Sequence, residues 1–432
     1  MNKFLDAIRH GEKPTPCRVC LSICFVLATF CSLSPAAVEA QNYVFPHSDE
    51  SANGIRPSNY PQWRLNNHAR DAYLWWKGLR ITPIGTPQSN MLRVQKDPVN
   101  GQLPETVSEG MGYGALFAVY FSDRDTLDKL FRYYNYYKRN PNNASLPDSN
   151  GLMAWKIAGN GQVIDGNPAT DGDLDMAFAL LMAHRNWGSN GAVNYRNESR
   201  KIVRCLENNY IENSTGILRP GNFGGSNCDN PGYYAPVWFN EFKKEFGNPI
   251  WDKVIQRLYN TIYHFRDVYK DPDTMQITNT GLVPDWCTVD FEEVTAYPDR
   301  KFNFGFDATR IPLRTGHDYV TNGQSSPGNS WLAQWNNNRL SNWAKNSVSF
   351  QPAQLGAFYE LDGENLGGNN TAAVVGSFAV AAMVHPSQQA WLNNLYERLL
   401  NMDTRTVDKR YFTSCMRVFS MLIVTGNMPV FE

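Results

Sequence analysis

The sequence predicts an all-α fold in which a ring of six helices is wrapped by six more. Three observations predict it. Helical periodicity of apolar residues recurs twelve times along the chain. No segment keeps the alternation of a β-sheet domain. Several helices, "GALFAVYF" and "TAAVVGSFAVAAMV" among them, are apolar on most faces, and such helices are buried on more than one side.

Taken in order, the chain opens on a targeting segment. Lys3, Arg9, Lys13 and Arg18 precede the apolar run "VCLSICFVLATFCSLS", and Val38-Glu39-Ala40 offers a small-residue cleavage site. Residues 1–40 are therefore expected to be a signal peptide and residues 41–432 one catalytic-size domain. An uncleaved anchor is the lesser alternative, since the run is short for a span and no second one follows. The expected destination is extracellular or periplasmic, without stable membrane association, and a monomer is expected. Cleavage removes Cys17, Cys20, Cys24 and Cys31, leaving Cys205, Cys228, Cys287 and Cys415. These lack Cys-x-x-Cys spacing, which argues against structural zinc, and their pairing is not readable.

After a polar, extended stretch to about Tyr60, helices are expected to begin near Trp63, Ser108, Asp125, Thr170, Ala192, Pro231, Pro249, Thr309, Asn329, Thr371, Pro386 and Tyr411. Loops rich in Gly, Asn and Pro join them. The stretch from Pro272 to Asp307 is the longest poorly helical insert, and long loops in compact domains are often functional.

Three acids at helix starts stand out. In "ATDGDLDMAFALLMAHRNW", Thr170 is placed to cap while Asp171, Asp173 and Asp175 crowd the first turns. Capping and dipole electrostatics explain one or two acids. A calcium loop does not fit, because Met176 stands where Gly is needed and Met182 where Glu is needed. In "VSEGMGYG", Ser108 is a candidate cap for Glu109. Gly110, Gly112 and Gly114 weaken that helix start by roughly 1 kcal/mol each relative to Ala, so something must approach closely, a ligand or a neighbouring helix. A carboxyl beside apolar bulk would also have its pKa raised, as a general acid requires. In "FNFGFDATR", Asp307 precedes a helix with Arg310 three residues on, a one-turn ion pair at the least.

Composition narrows the ligand. The net charge is −1, so nothing suggests nucleic acid. Aromatics at 13% suit either a large core or a cleft for flat, uncharged ligands such as sugars. Trp155 in "GLMAWKI", Tyr233, Tyr234 and Trp238 in "NPGYYAPVWF", and Trp286 in "GLVPDWC" are the candidate platforms.

These stretches together resemble glycoside hydrolase family 8, its bacterial endoglucanases above all. The segment Ala169–Trp187 matches the family's signature at each constrained position, and "SEGMGYG", "WGSNGAVNY", "NPGYYAP", "GLVPDWC" and "DATR" look like its blocks. The resemblance implies an (α/α)6 barrel and inverting hydrolysis of β-1,4-linked polysaccharides, with no cofactor or metal. By motif, Glu109 would be the general acid and Asp307 the general base. Asp171 would hold the distorted sugar, with Asp173 and Asp175 serving the helix end and its packing. Trp155, Tyr233 and Arg310 would line the cleft around that sugar, and Phe223 and Tyr411 would add substrate contacts.

Two residues depart from the pattern. Phe306 stands before the base where related endoglucanases carry Tyr, and Phe223 stands in "GNFGGSN" where Trp is typical. The first loses a hydroxyl near the attacking water, and the second weakens stacking at an outer subsite. The implied activity is endo-β-1,4-glucanase. Xylan, mixed-linkage glucan and chitosan are the alternatives within the family, and a non-catalytic carbohydrate-binding protein lies outside it. Xylanase-like members diverge from the Thr-Asp-x-Asp pattern kept here, and chitosan-active members often place the base elsewhere. Degradation of cellulose and trimming during its synthesis are not separable by sequence.

Overall fold

The computed structural model describes residues 41–49, 53–84, 90–98, 101–138, 151–325, 330–402 and 410–432. All belong to one compact unit, Glu39–Glu432. The expected signal peptide lies outside the described residues.

Twelve α-helices occur among the described residues: α1 Gln62–Arg80, α2 Ser108–Tyr120, α3 Arg124–Lys138, α4 Thr170–Trp187, α5 Tyr195–Asn209, α6 Pro236–Phe246, α7 Ile250–Asp267, α8 Arg310–Asn322, α9 Ser330–Ser347, α10 Ala372–Ala382, α11 Gln389–Asn401 and α12 Tyr411–Val424. The even-numbered helices close a ring. α2 packs on α4, α4 on α6, α6 on α8, α8 on α10, α10 on α12, and α12 returns to α2. Each odd-numbered helix lies outside an even one, α3 on α2, α5 on α4, and so around to α1 on α12. This is an (α/α)6 barrel. The hydrophobic pattern separates the layers. Every residue of α10 is buried, whereas α1 buries one stripe, Leu65, Ala69, Ala72, Tyr73 and Trp76 among it.

Three expected starts differ. The stretch at Pro231 is a 3-10 turn, Pro231–Tyr233, and the α-helix begins at Pro236. Proline keeps the preceding Ala235 out of the helical conformation and itself fits the first helical position. Likewise Pro386–Gln388 is a 3-10 turn leading into α11. The expected start at Ala192 slips to Tyr195, where Asn194 caps by accepting from Asn197 N at 3.0 Å.

Short strands punctuate the loops: β1 Ile81–Pro83, β2 Leu92–Val94, β3 Thr106–Val107, β4 Lys156–Ile157, β5 Val163–Asp165, β6 Phe358–Tyr359 and β7 Asn365–Gly367. The antiparallel sheet β3-β4-β5 matters most here, because β3 runs directly into α2. The stretch between α7 and α8 is free of helix and strand, as expected of the insert. Arg257 of α7 anchors it, donating to Val289 O at 2.9 Å and Thr288 O at 3.1 Å while Nε pairs with Asp229 at 3.0 Å.

Candidate active site

The site begins with a close approach of two backbones. A Cβ on Gly112 would stand 2.6 Å from Gly172 O, and one on Gly172 would stand 2.3 Å from the Ser108 carbonyl carbon. The first turns of α2 and α4 therefore touch, with Glu109 and Asp171 side by side. Gly110 yields instead to Tyr411, whose hydroxyl would lie 2.7 Å from an added Cβ. Gly114 yields to Val94, Leu130 and Trp76. The three glycines of α2 thus make room for neighbouring protein rather than for a ligand.

Neither expected cap forms. Val107 and Ala169 occupy the cap positions of α2 and α4, without a side-chain cap. Thr170 Oγ1 donates to Arg219 O at 2.9 Å, and the buried Ser108 Oγ has no protein partner. Backbone contacts replace the caps: Ser108 N donates to Trp155 O at 2.9 Å, and Thr170 N donates to Pro220 O at 3.1 Å.

Arg310, buried at the start of α8, gathers the three acids. Its Nη1 donates to Glu109 Oε2 and to Asp171 Oδ2, both at 2.9 Å. Its Nη2 donates to Asp307 Oδ1. The one-turn pair expected between Asp307 and Arg310 is thus one arm of a four-member cluster. Each acid has a further partner. Tyr411 OH donates to Glu109 Oε1 at 2.9 Å, Gly172 N to Asp171 Oδ1 at 2.8 Å, and Trp286 Nε1 to Asp307 Oδ2 at 2.9 Å.

Burial raises the Glu109 carboxyl to about 7, against the pull of Arg310 and with the negative charge of Asp171 adding to the rise. Burial likewise raises Asp171 to about 6, while Arg310 and the Gly172 N–H pull it down. Asp307 is the most open of the three, with 34% of its side chain exposed against 20% for Glu109.

Aromatic side chains border the cluster. Tyr233 lies under the Arg310 guanidinium at 4.9 Å. From it a row leads outward, Tyr233 to Trp286 at 6.2 Å, Trp286 to Phe223 at 6.3 Å and Phe223 to Tyr297 at 5.5 Å between centroids. Arg300 covers Trp286 at 4.5 Å and Phe223 at 5.2 Å. On another side, Phe306 packs on Phe412 at 5.7 Å and Phe358 at 5.2 Å. Trp155 is half-buried next to the start of α2, with Lys156 Nζ 5.7 Å over its ring.

Other expected platforms are structural. Trp238 is buried and donates to Asp175 Oδ1 at 2.7 Å, and Tyr234 is buried and donates to Asp229 at 2.9 Å. Asp173 is also buried. It accepts from Tyr134 OH at 2.5 Å and Met153 N at 3.3 Å, and burial raises it to about 8.

Sequence reasoning passed over Asp285, the neighbour of Trp286. Its Oδ1 accepts from Gly305 N at 3.0 Å and Ala308 N at 2.6 Å, fixing the loop that presents Asp307. Burial, then the charge of Asp307, raises it well above the usual carboxylate range. The adjacent Asp-Trp pair in "GLVPDWC" was the available signal: one residue holds the loop and the next holds the acid. Among the described residues, Cys205, Cys228, Cys287 and Cys415 are buried thiols that no disulfide joins.

Residues 65–426 match the family model described as Glycosyl hydrolases family 8. Endoglucanase 2 of Ruminiclostridium josui is 33% identical over 372 residues, spanning 85% of this chain and 73% of that protein. Endoglucanase A of Acetivibrio thermocellus is 32% identical over 367 residues, spanning 82% and 68%. A solved β-1,3-1,4-glucanase from Paenibacillus sp. X4 superposes with a TM-score of 0.77 at 26% identity, covering 90% of this chain and 99% of that one.

Proposed function

The chain belongs to glycosyl hydrolases family 8, and on that premise we propose that it is a secreted, inverting endo-β-1,4-glucanase acting on cellulose or a related β-glucan. Two kinds of evidence support the glucanase reading: the endoglucanase relatives, and the retention of Glu109, Asp171 and Asp307 in one cluster. The observation that carries the mechanism is the gathering of those three carboxylates on Arg310, with Glu109 protonated up to about 7.

Inversion needs a protonated carboxyl on the leaving oxygen and a carboxylate that activates water on the opposite face of the sugar. Glu109 fills the first role, because burial lets it hold its proton up to about pH 7. Asp307 fills the second. It is the most solvent-open of the three, and Trp286 Nε1 and Arg310 orient it. Glu109 and Asp307 meet different nitrogens of one guanidinium, Nη1 and Nη2 of Arg310. A water fits between when the carboxyls stand roughly 6.5–9.5 Å apart.

Asp171, locked by Gly172 N and Arg310, meets the sugar whose ring charge rises in the transition state. Tyr233, Trp155 and Phe223 supply flat faces for glucose. Tyr411 touches Glu109 and so tunes the acid besides bordering the substrate.

The likeness to a β-1,3-1,4-glucanase favours one second reading, a mixed-linkage glucan as the preferred polymer. The test runs carboxymethylcellulose, lichenan, xylan and chitosan in parallel and scores reducing-sugar release. Fastest release from carboxymethylcellulose supports the first reading and from lichenan the second; fastest release from xylan or chitosan overturns both. Proton NMR of the earliest products is expected to show the α-anomer, and early β-anomer would overturn inversion.

A further inference from the structure

The outer layer carries a feature that the catalytic cluster does not use. Helix α9 reads "SWLAQWNNNRLSNWAKNS", with Asn and Trp where a helix surface is usually given to Lys, Glu or Ala. Two of its asparagines face inward. Asn336 Nδ2 donates to Gly281 O, and Asn337 Nδ2 to Thr315 Oγ1, both at 3.0 Å. Three others, Asn338, Asn342 and Asn346, recur every fourth residue and line an open groove with Arg266, Arg339 and Trp335.

Trp335 is 54% exposed, although burial of so large an apolar surface is favourable. Its ring is braced rather than free, with the Arg266 guanidinium 5.3 Å from its centroid and Trp331 edge-on at 5.0 Å. The amides are also held. Gln388 is fully buried, and its Nε2 donates to Asn338 Oδ1 at 2.6 Å and to Asn342 Oδ1 at 2.9 Å. With both carbonyls turned toward Gln388, both NH2 groups are turned away from it as donors. No acid lines the groove, and Asp267 offsets the arginines by pairing with Arg266 and, at 3.5 Å, with Arg339.

A fixed aromatic face beside a row of oriented amides, with little net charge, suits a neutral polyhydroxylated ligand. It lacks the contiguous apolar centre of a protein-docking surface. We propose that this groove is a second glycan-binding site, taking a β-linked glucan chain with Trp335 as its stacking face. It stands on α7, α9 and the connection at Asn279, and shares no residue with the cluster of Glu109 on α2, Asp171 on α4, Asp307 before α8 and Arg310 on α8. The proposal rests on the β-glucanase reading, because that reading makes a polymer the substrate. A polymer that engages both places is held by two contacts, and the second is gained at high effective concentration.

The test uses the full domain with Trp335→Ala and two readouts. Turnover of cellopentaose is expected to stay at the wild-type rate, because a short chain does not need the groove. Retardation in a native gel cast with lichenan or hydroxyethylcellulose is expected to weaken by at least about tenfold in apparent Kd. Trp63→Ala is the control. Trp63 is 62% exposed on α1 with Arg64 5.8 Å over its ring, but it does not belong to the groove. Retardation of Trp335→Ala equal to wild type overturns the proposal, as does an equal loss in Trp63→Ala, which would mean generic adsorption to exposed tryptophan. A wild type that binds these polymers but hydrolyses none would overturn the activity reading instead, and the gel comparison would still decide the groove.

Discussion

Two aspartate–arginine pairs join α4 to α8, one helical turn apart. Asp171 meets Arg310 at 2.9 Å; four residues on in each helix, Asp175 meets Arg314 at 2.7 and 2.8 Å. The residue types, spacing and helices are the same, yet the surroundings differ. The lower pair is closed. One guanidinium serves one carboxylate, Trp238 adds a donor, and Arg314 lies between Trp238 at 4.9 Å and Phe419 at 4.8 Å. The upper cation serves three acids and opens to solvent through Asp307. Burial at the upper site disfavours a charged Glu109, and the neighbouring Asp171 charge adds to that, so a proton is retained. Glu109, raised to about 7, keeps that proton. A matched buried pair therefore reads as architecture, and an outnumbered cation at an opening reads as chemistry.

The largest effect is expected where the retained proton is removed. Glu109→Gln keeps the shape and the Arg310 contact but has no proton to give. Turnover on cello-oligosaccharides is expected to fall by about 10²–10⁴-fold, with oligosaccharide binding preserved. Retention of more than about a tenth of the wild-type rate would mean that the acid lies elsewhere in the cluster. The same variant tests the charge argument by melting. The folded chain binds the Glu109 proton more tightly than the unfolded chain, whose reference value is 4.5. That contribution to stability is fully present below about 4.5 and is lost as pH rises through about 7. Glu109→Gln is therefore expected to melt above wild type at pH 8, with the difference closing toward pH 4.

The two aspartates then break the comparison in opposite directions. Asp175→Asn leaves Arg314 buried without its only carboxylate, which costs about 3–5 kcal/mol of stability. Folded molecules of that variant are expected to turn over substrate normally. Asp171→Asn leaves Arg310 with two carboxylates, and Asn keeps the short polar side chain, so melting is expected to change little. Its kcat is expected to fall by about 10²-fold, ~2.7 kcal/mol of transition-state stabilisation. Paired melting and kcat measurements on both variants decide it. A lower melting temperature with intact turnover in Asp171→Asn would return that residue to helix-end electrostatics.

What the chain discloses by itself follows the range of the interactions. All twelve helices were legible, because each writes its burial locally, as one stripe in outer helices such as α1 and on most faces in inner ones such as α10. The errors fell at Ala192, where the start slipped to Tyr195, and at Pro231 and Pro386, where proline marks a start without choosing between a 3-10 turn and an α-helix. Motif resemblance singled out Glu109, Asp171 and Asp307, and the fold brings the three together on Arg310. The surplus glycines of α2 correctly announced a close approach, but only the fold shows that α4 and Tyr411 make it. Arg310 read as a one-turn partner of Asp307 and, by resemblance, as a cleft residue, but its bonds to Glu109 and Asp171 join residues 201 and 139 positions away. The hydrogen bonds of Asp285 to the Asp307 loop span 20 and 23 positions and left no periodic trace.

The smallest expected effect concerns Tyr411, 302 positions from the acid it touches. Its hydroxyl donates to Glu109 Oε1, and a donor favours the charged form of a carboxylate. The bond therefore holds the acid lower than burial alone would. Tyr411→Phe keeps the ring over Gly110 and removes only that donor. In the proposed mechanism the active form of Glu109 is protonated, so kcat/KM is expected to fall as pH rises through its titration near 7 in the wild type. Without the donor that alkaline limb is expected to move upward by about one pH unit, since a hydrogen bond to a charged group is worth ~1.5–3 kcal/mol and one unit is about 1.36 kcal/mol. The acid limb, set by the base, is expected to stay in place. If Tyr411 only packs against substrate, the whole profile drops with both limbs unmoved. A pH profile of kcat/KM on a neutral oligosaccharide separates the two, and an unmoved alkaline limb would remove Tyr411 from the control of the acid.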